Sequence, residues 1–273
     1  MKPVIEVKNL SFSYDGEAEA LTDVSVRIYE GEKIAVLGEN GAGKSTFFLN
    51  LNGVRQPESG EILLRGEPIG KKNRKKLLRN VGIVFQDADS QIVASTVKAE
   101  VAFGPLNMGL SREETEKRTY AALRQMDLEA YETRPPHALS GGEKKRVGIA
   151  DILAMEVPVI IFDEPTAALD AVSADMLEQI LQQLGEEGKT IVLSTHDVDF
   201  AYRFAERILV FSGGKIIGDG TPEQIFSDER LLAAARLRKP MLLTVYELLR
   251  QRGMAKERER LPKTVPELAG LLL

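Results

Sequence analysis

A glycine-rich stretch that contains one lysine, residues 38–46, has the spacing of a phosphate-binding loop. Its sequence, GENGAGKST, matches the pattern GxxxxGK[ST]. Glycines let successive backbone N–H groups turn toward phosphate oxygens, while Lys44 adds a cation for the outer phosphates and Ser45 offers a hydroxyl group to Mg²⁺. The alternative is a glycine turn that binds nothing. The apolar run 34–37 before the loop and the helical pattern after it favour a nucleotide, because the positive end of the helix dipole would face the anion.

Two adjacent carboxylates, Asp163 and Glu164, follow the apolar run 159–162. A buried carboxylate is costly unless it holds a cation or a proton, so we expect Asp163 to bind Mg²⁺ and Glu164 to orient and activate water. The alternative is a strand that simply exits into a polar loop. The position favours function, because the carboxyl ends of parallel strands are where α/β sheets bind ligands.

Two single polar residues also follow apolar runs. His196 ends the run 191–195, which we expect to form a strand beside the one that carries the two acids, and Gln86 ends the run 81–85. A lone histidine is more often a structural hydrogen-bonding group than a catalyst, and a glutamine here is often only a polar strand end. Taken alone, both residues leave the two alternatives open.

Ser140, Gly141 and Gly142 stand at the predicted start of a helix that spans 142–155. This start offers a second set of inward N–H groups and a second helix dipole to a phosphate. The alternative is an ordinary N-cap, because serine is a favoured capping residue and Glu143 completes a capping box. A chain with one phosphate loop has no evident use for two such cradles unless they come from different subunits.

The elements that must position these residues alternate in type. Apolar runs at 159–162 and 190–193 alternate with helical patterns at 142–155 and 173–184, which indicates a parallel sheet covered on both faces. Antiparallel strands are predicted where short segments alternate in polarity, at 4–14, 24–28 and 60–66.

Between residues 96 and 134 the period is helical, and we expect a helical insertion. Residues 111–114 read SREE, a capping box for a helix that runs to about residue 127, and Gly104-Pro105 is expected to separate this helix from an earlier one. A tail of mixed charge begins at Pro240. Its regularly spaced leucines favour a folded segment, which would either cap the domain or extend a dimer interface.

Composition excludes several classes of protein. The chain of 273 residues has no cysteine and two histidines, so thiolate sites, cysteine nucleophiles and His-rich metal sites are not expected. Its net charge of −5 argues against a main task of binding nucleic acid. No signal-peptide or membrane-spanning pattern is present, so we expect a cytoplasmic chain with at most peripheral membrane contact. The basic run 71–79 is either a solvated helix face or a contact for lipid headgroups.

Together, the phosphate loop, the LSGGE sequence at 139–143, the paired acids and His196 resemble the ATPase subunit of ATP-binding-cassette (ABC) transporters, over residues 4–226. LSGGE is not shared with kinases or small GTPases. The resemblance implies an α/β fold of the P-loop NTPase type. It has a mostly parallel sheet core, an antiparallel β subdomain, and a helical subdomain at about 96–155 between the Walker A loop and the signature. It further implies an ATPase domain over 1–239 and a C-terminal helical extension over 240–273.

The resemblance also implies a role for each matching residue. The expected catalytic residues are Glu164, His196 and Lys44. The expected Mg²⁺ ligands are Ser45, Gln86 and Asp163. The residues expected to bind ATP are Tyr14 (stacking on adenine), Gly38, Asn40, Gly41, Gly43, Lys44, Ser45, Thr46, Gln86, Ser140, Gly141, Gly142 and Asp170. Of these, Ser140, Gly141 and Gly142 are expected to act from a second subunit, and Asp170 belongs to a dimer-contacting loop at 167–170.

A head-to-tail dimer, with a second copy or with another ABC ATPase, is the assembly that the resemblance implies. Each ATP would lie between the phosphate loop of one subunit and residues 140–142 of the other. The dimer would drive integral membrane coupling and substrate-binding subunits from the cytoplasmic face of the membrane, with no nucleic-acid partner.

A finer resemblance covers residues 85–105, where a second glutamine, Gln91, is expected near the membrane coupling subunit. This segment resembles the energy-coupling-factor branch, especially the ATPases of cobalt and nickel importers. Vitamin import is the alternative, and a non-transport ABC ATPase that acts on DNA or ribosomes is a more distant one.

Overall fold

The computed structural model describes residues 2–16, 18–167, 169–256 and 261–273. Within these residues ten strands form two sheets. The strands are β1 (Pro3–Ser13), β2 (Glu19–Tyr29), β3 (Lys33–Leu37), β4 (Ser59–Leu64), β5 (Glu67–Ile69), β6 (Val81–Val84), β7 (Val159–Phe162), β8 (Thr190–Ser194), β9 (Arg207–Ser212) and β10 (Lys215–Gly220). The helices are α1 (Lys44–Leu51), α2 (Lys75–Leu78), α3 (Val97–Asn107), α4 (Arg112–Gln125), α5 (Gly141–Ala154), α6 (Ala171–Glu186), α7 (Val198–Phe204), α8 (Pro222–Ser227), α9 (Glu229–Ala234), α10 (Met241–Gln251) and α11 (Val265–Ala269), with single 3-10 turns at Glu129–Tyr131 and Pro136–Ala138.

The smaller sheet is antiparallel, with the strand order β2-β1-β4-β5. Its alternating residues Val24, Val26 and Ile28 are buried, as the period-two pattern predicts. Tyr14 differs from its neighbour Phe12, because it lies just beyond the end of β1 and is 51% exposed. The predicted antiparallel strands are therefore confirmed, and Tyr14 is left free of the core.

The larger sheet has the order β10-β9-β3-β8-β7-β6. Neighbours from β9 to β6 run parallel, and β10 adds an antiparallel hairpin strand at one edge. Side chains of β3 alternate between two cores: Ile34 and Val36 pack with α1 and the antiparallel sheet, whereas Ala35 and Leu37 pack on the side of α3 to α7. The parallel sheet with both faces covered is as predicted.

Helices α3, α4 and α5, which lie between β6 and β7 in the chain, pack on one another. Two local predictions were wrong. First, α3 continues through Pro105 to Asn107, because a proline near the end of a helix removes only one N–H donor and Gly104 fits closely against Met155, the residue after α5. Second, the capping box at Ser111 is half formed.

The Ser111 hydroxyl accepts from the Glu114 N–H, as a cap should. The Glu114 carboxylate, however, accepts from Arg118 at 2.7 Å, so it is engaged one helical turn further along. An ion pair within the helix thus replaces the second bond of the box.

The tail after Pro240 folds back onto the body of the protein. Leu243 and Tyr246 of α10 and Leu268 of α11 are buried in the same core cluster as Tyr202 and Phe226. No helix among the described residues is both long and apolar enough to cross a membrane.

Candidate nucleotide site

The register of three parallel strands brings the predicted site residues to one edge of the sheet. Val36 of β3 pairs with Ser194 of β8, and Leu193 pairs with Phe162 of β7. The three strands therefore end at nearly the same level of the sheet. β3 is followed by the phosphate loop, β8 by His196, and β7 by the two acids. As expected, the strand that ends at His196 lies beside the strand that ends at Asp163.

The phosphate loop depends on glycine for its shape. Gly38 and Gly43 have positive φ angles, and a Cβ atom would lie 2.3 Å from the Phe211 carbonyl oxygen at Gly38 and 2.6 Å from the Ala20 carbonyl oxygen at Gly43. Helix α1 begins at Lys44, within the last residues of the loop motif, and no side chain caps its first turn. Its N-terminal N–H groups are thus available to an anion, which is the arrangement that binds phosphate.

Lys44 lies within the loop. Its Nζ donates to the carbonyl oxygens of Gly38 at 2.7 Å and Glu39 at 3.0 Å, and the residue is 5% exposed. Burial lowers the pKa of the ammonium group, and the nearby carboxylates of Glu164 and Asp163 oppose that shift. The Lys44 ammonium group and the two carboxylates are therefore close enough to interact electrostatically.

A serine joins the two acids. The fully buried Ser194 hydroxyl donates to Asp163 Oδ1 at 2.6 Å and accepts from the Glu164 N–H at 2.9 Å. Glu164 has a left-handed backbone, with φ 45°, and its Oε1 lies 2.6 Å from Nε2 of His196. Lys44, Asp163, Glu164 and His196, which we call the acid cluster, are thus brought together.

Sequence reasoning missed Ser194, although its place at the end of a strand, two residues before His196, was a usable signal. It also missed Lys145. This α5 side chain is 3% exposed, and its Nζ donates to the carbonyl oxygens of Phe85 and Gln86, both at 2.8 Å. Burial lowers the pKa of Lys145 to about 8. The helix that follows the signature is therefore bonded to the backbone that carries Gln86.

Gln91 reinforces this link. Its Oε1 accepts from the Phe85 N–H at 3.2 Å, and its Nε2 donates to the Gly148 carbonyl oxygen at 3.2 Å. The amide group of Gln91, which we expect near a membrane coupling subunit, thus makes two bonds inside the chain, and Gln86 is exposed.

Ser140 and Glu143 form both bonds of the expected capping box: Glu143 N–H donates to the Ser140 hydroxyl, and Ser140 N–H donates to Glu143 Oε2 at 2.7 Å. This bond from Ser140 lowers the pKa of Glu143. Asp170 caps α6 in the same way, accepting from the Ser173 N–H at 3.0 Å and from its hydroxyl at 2.8 Å.

Ser140, Gly141, Gly142 and Asp170 form a second group, beside a cavity of about 190 Å³ between α5 and α6. Among the described residues, no hydrogen bond or ion pair joins this group to the acid cluster. Ala168, which belongs to the expected dimer-contacting loop, lies outside the described residues.

The remaining predicted residues surround the start of α1. The Tyr14 hydroxyl lies 3.2 Å from Thr46 Oγ1, and the Arg55 guanidinium lies 5.2 Å from the Tyr14 ring centroid. Asn40 and Gly41 lie in the exposed turn of the loop, and Ser45 is exposed at the start of the helix. Tyr14 thus stands next to the phosphate loop with its ring partly accessible.

The available donors fit a magnesium nucleotide. Ser45, Gln86 and Asp163 offer oxygen atoms, which Mg²⁺ prefers, and Mg²⁺ is usually held by one or two carboxylates together with substrate phosphates. The described part of the chain contains no group of three or more His, Cys, Asp or Glu residues arranged to hold a metal alone.

Comparison with known proteins agrees with the geometry. The family described as "ABC transporter" matches residues 21–167. The energy-coupling factor transporter ATP-binding protein EcfA of Methanocaldococcus jannaschii is 46% identical over 251 residues, which cover 91% of this chain and 90% of that protein.

Solved structures agree as well. CbiO1 of Clostridium perfringens, part of the ABC transporter complex cbiONQ, aligns with a TM-score of 0.76 and 37% identity over 92% of this chain and all of that one. The ATP-binding cassette MJ0796, solved as a dimer in a post-hydrolysis state with ADP and Pi, aligns with a TM-score of 0.71 and 32% identity over 80% of this chain and 98% of that one. The chain therefore belongs to the ATPase family of ABC transporters, as its motifs predicted.

Proposed function

We propose that this chain is the ATP-hydrolysing subunit of an energy-coupling-factor importer, and that it works as a head-to-tail dimer. The observation that carries the proposal is the acid cluster, in which the Glu164 carboxylate lies 2.6 Å from His196 and beside the Lys44 cation. The similarity to EcfA supports the importer class.

The chain's own residues divide the work of hydrolysis. N–H groups of the phosphate loop and Lys44 hold the phosphates, and the Glu164 carboxylate accepts a hydrogen bond from the attacking water and so orients it. His196 steadies the carboxylate and contacts the outer phosphate. Ser45, Gln86 and Asp163 would hold Mg²⁺, which supplies charge neutralisation when it is bound with the nucleotide. Tyr14 stacks on the adenine ring.

The second group, Ser140–Gly142 with Asp170, serves the neighbouring subunit. Ser140 and Asp170 cap their helices, and Ser140, Gly141 and Asp170 are exposed, which supports a role at a partner's phosphate loop. The γ-phosphate bound to one subunit would then contact residues 140–142 of the other subunit only in the closed dimer. ATP could therefore favour the closed dimer, because a ligand shifts an equilibrium only through contacts that differ between the two states. The dimeric state of the similar MJ0796 cassette supports this arrangement. The partner is a second copy or another ABC ATPase.

We further propose that residues 1–239 form the ATPase domain, with a helical subdomain at about 96–155, and that 240–273 form an extension. The chain would act peripherally, at the cytoplasmic face of the membrane, on integral coupling and substrate-binding subunits. Cobalt or nickel ions are the proposed cargo, on the resemblance of residues 85–105 to importers of these ions. Vitamin import is the second candidate, because the energy-coupling-factor name of the relative does not specify cargo.

The substitution Glu164→Gln tests the proposed coupling of ATP hydrolysis to dimerisation. It should abolish turnover, preserve ATP binding and trap a stable dimer in size-exclusion chromatography with ATP, because the neutral amide keeps the shape but cannot activate water. Glu186→Gln, a change on helix α6, is the control and should leave all three unchanged. A Glu164→Gln variant that hydrolyses ATP rapidly or stays strictly monomeric would contradict the proposal. Purification of the membrane complex with its bound metal or vitamin would then identify the cargo.

A further inference from the structure

A second cavity, of about 190 Å³, lies at the C-terminal end of α1, where the chain turns toward β4. Its exposed lining includes the cationic side chains of Arg55, Lys71 and Arg74, and its covered lining includes Ile62, Ile69 and Leu77. We call this cavity the basic pocket. It shares no residue with the acid cluster.

The charge in the basic pocket is unbalanced. No aspartate or glutamate is among its described lining residues, and none of the three cations forms an ion pair within the described chain. Lys76, in the same basic run, shows the usual outcome, because its Nζ lies 2.6 Å from Glu67. Three uncompensated cations around one cavity are unexpected in a chain with net charge −5.

The walls of the pocket strengthen its attraction for anions. Ile62 and Leu77 are each 2% exposed, so apolar side chains lie behind the cations. A cleft that is lined by one sign of charge and has low-dielectric walls focuses the field and concentrates counter-ions. The basic pocket is therefore a stronger anion site than the same three charges on an open surface.

Size and charge together select the ligand class. At roughly 30 Å³ per water molecule, the cavity has room for about six waters, a volume that suits a small anionic group. Two guanidinium groups favour an oxyanion that accepts paired hydrogen bonds, and a phosphate carries nearly two charges for three cations. A phosphate monoester of a small alcohol fits both conditions.

The pocket is linked to the nucleotide site through one side chain. The Arg55 guanidinium that lines it also lies 5.2 Å from the Tyr14 ring centroid, and the Tyr14 hydroxyl lies 3.2 Å from Thr46 Oγ1. An anion in the pocket would compete with the aromatic ring for Arg55. Tyr14 would then lose its contact with the Arg55 guanidinium, and its position beside the phosphate loop would change.

We propose that the basic pocket binds a small phosphate monoester and that its occupancy modulates ATP affinity through Arg55 and Tyr14. The binding itself is independent of the proposed function, whereas the modulation rests on it. The ester is either a soluble molecule or the monoester phosphate of phosphatidic acid in a membrane. Both sources present the same group to the same three cations.

Binding is measured by calorimetric titration of the full chain with glycerol 3-phosphate. A saturating non-hydrolysable ATP analogue is present, so that the phosphate loop is occupied. The affinity of the analogue is measured first, so a failure of nucleotide binding is seen separately. The double variant Lys71→Glu/Arg74→Glu should weaken the ester by about tenfold or more, since it removes two of the three cations. The control Lys72→Glu/Lys75→Glu makes the same charge change in the same basic run, outside the pocket, and should have little effect.

Equal losses in both double variants would overturn the proposal, because they would mean diffuse attraction to the basic run. Absence of saturable binding to the unmodified chain would overturn it as well. Co-sedimentation with vesicles that contain phosphatidic acid, whose headgroup is a phosphate monoester, compared with phosphatidylcholine vesicles, distinguishes the sources. Binding to the anionic vesicles that glycerol 3-phosphate displaces assigns the site to lipid, and binding of the soluble ester without vesicle binding assigns it to a free ligand.

The link to ATP has its own readout. Glycerol 3-phosphate should change the affinity of the unmodified chain for the ATP analogue, and by reciprocity the analogue should change the affinity for the ester by the same factor. Arg55→Gln should remove this dependence. A dependence that persists in Arg55→Gln would overturn the proposed route through Tyr14.

Discussion

The hydroxyl group of Ser194 lies 2.6 Å from Oδ1 of Asp163. It also accepts from the Glu164 N–H, so Ser194→Ala leaves a buried acceptor and a buried donor without this partner. We expect unfolding free energy to fall by about 1–3 kcal/mol and the Mg²⁺ concentration for half-maximal ATPase activity to rise. Urea unfolding and a Mg²⁺ titration measure the two effects. Ser212→Ala, at the half-buried end of β9, is the control, and equal effects in both variants would contradict the assignment.

Lys145→Met should slow turnover more than it weakens ATP binding. The variant keeps the aliphatic stem but removes the ammonium group that donates to the carbonyl oxygens of Phe85 and Gln86. The backbone that carries Gln86 is then released from α5, so kcat should fall while KM changes little. Lys144→Met is the matched control, because it removes only the pair between Nζ and the exposed Asp89, worth about 0–1 kcal/mol. A fall in kcat of the same size in the control would rule out a specific role for Lys145.

Gly43→Ala and Gly41→Ala separate steric exclusion from backbone strain. Both positions have positive φ, so each alanine costs on the order of 1 kcal/mol in strain. At Gly43 the new Cβ would also meet the Ala20 carbonyl oxygen at 2.6 Å, whereas at Gly41 nothing lies within 4 Å. We expect Gly43→Ala to abolish measurable binding of an ATP analogue in calorimetry and Gly41→Ala to weaken it modestly. The reverse order would contradict the described loop.

Asp151→Asn should stabilise the protein in a pH-dependent way. Burial, and to a lesser extent Glu100, raises the pKa of Asp151 from 3.8 to about 7. The unfolded chain loses this proton near pH 4 and the folded chain only near pH 7, so ionisation destabilises the fold progressively across that interval. The penalty is fully present above about pH 7.

The gain in unfolding free energy from Asp151→Asn should therefore grow from pH 4 to pH 7 and then level off, at on the order of a few kcal/mol. Chemical unfolding at a series of pH values measures it. The exposed Asp175→Asn is the control and should give a flat difference. A gain that is constant with pH would mean that Asp151 does not carry this proton.

Leu243→Ala tests whether the tail after Pro240 caps the core of the domain. Leu243 is fully buried in the main core cluster, and its truncation should cost about 2–5 kcal/mol of unfolding free energy. Leu248, in the same helix, is 47% exposed, and Leu248→Ala should cost far less. If Leu248→Ala instead weakened ATP-driven dimerisation while Leu243→Ala left stability unchanged, the tail would belong to the interface.

The sequence was most informative where a motif follows an apolar run. Lys44, Asp163 and His196 were placed correctly because each follows a buried parallel strand, and the carboxyl ends of such strands meet at one edge. Ser194 and Lys145 were missed, because their roles depend on which segments become neighbours. The Lys145 bonds to residues 85 and 86 span about sixty positions of chain.

Local rules were wrong where tertiary contacts were stronger. Gly104-Pro105 reads as a helix break, yet α3 passes through it because Gly104 packs closely against Met155. The bonds of Gln91 were also not predicted: its amide group bridges Phe85 and Gly148, while its expected place near the membrane coupling subunit stays a prediction. Neither outcome follows from local propensity, since both depend on the position of α5.

The pairing of Val36 with Ser194, and of Leu193 with Phe162, has a consequence for how this protein can change over time. Replacing one buried aliphatic residue of these strands by another of similar volume usually costs less than about 1.5 kcal/mol. Inserting one residue would displace the strand end by about 3.3 Å and turn every following side chain to the opposite face. Descendants of this chain are thus free to exchange the buried aliphatic residues of β3, β7 and β8 for others of similar volume, but not to change the lengths of these strands.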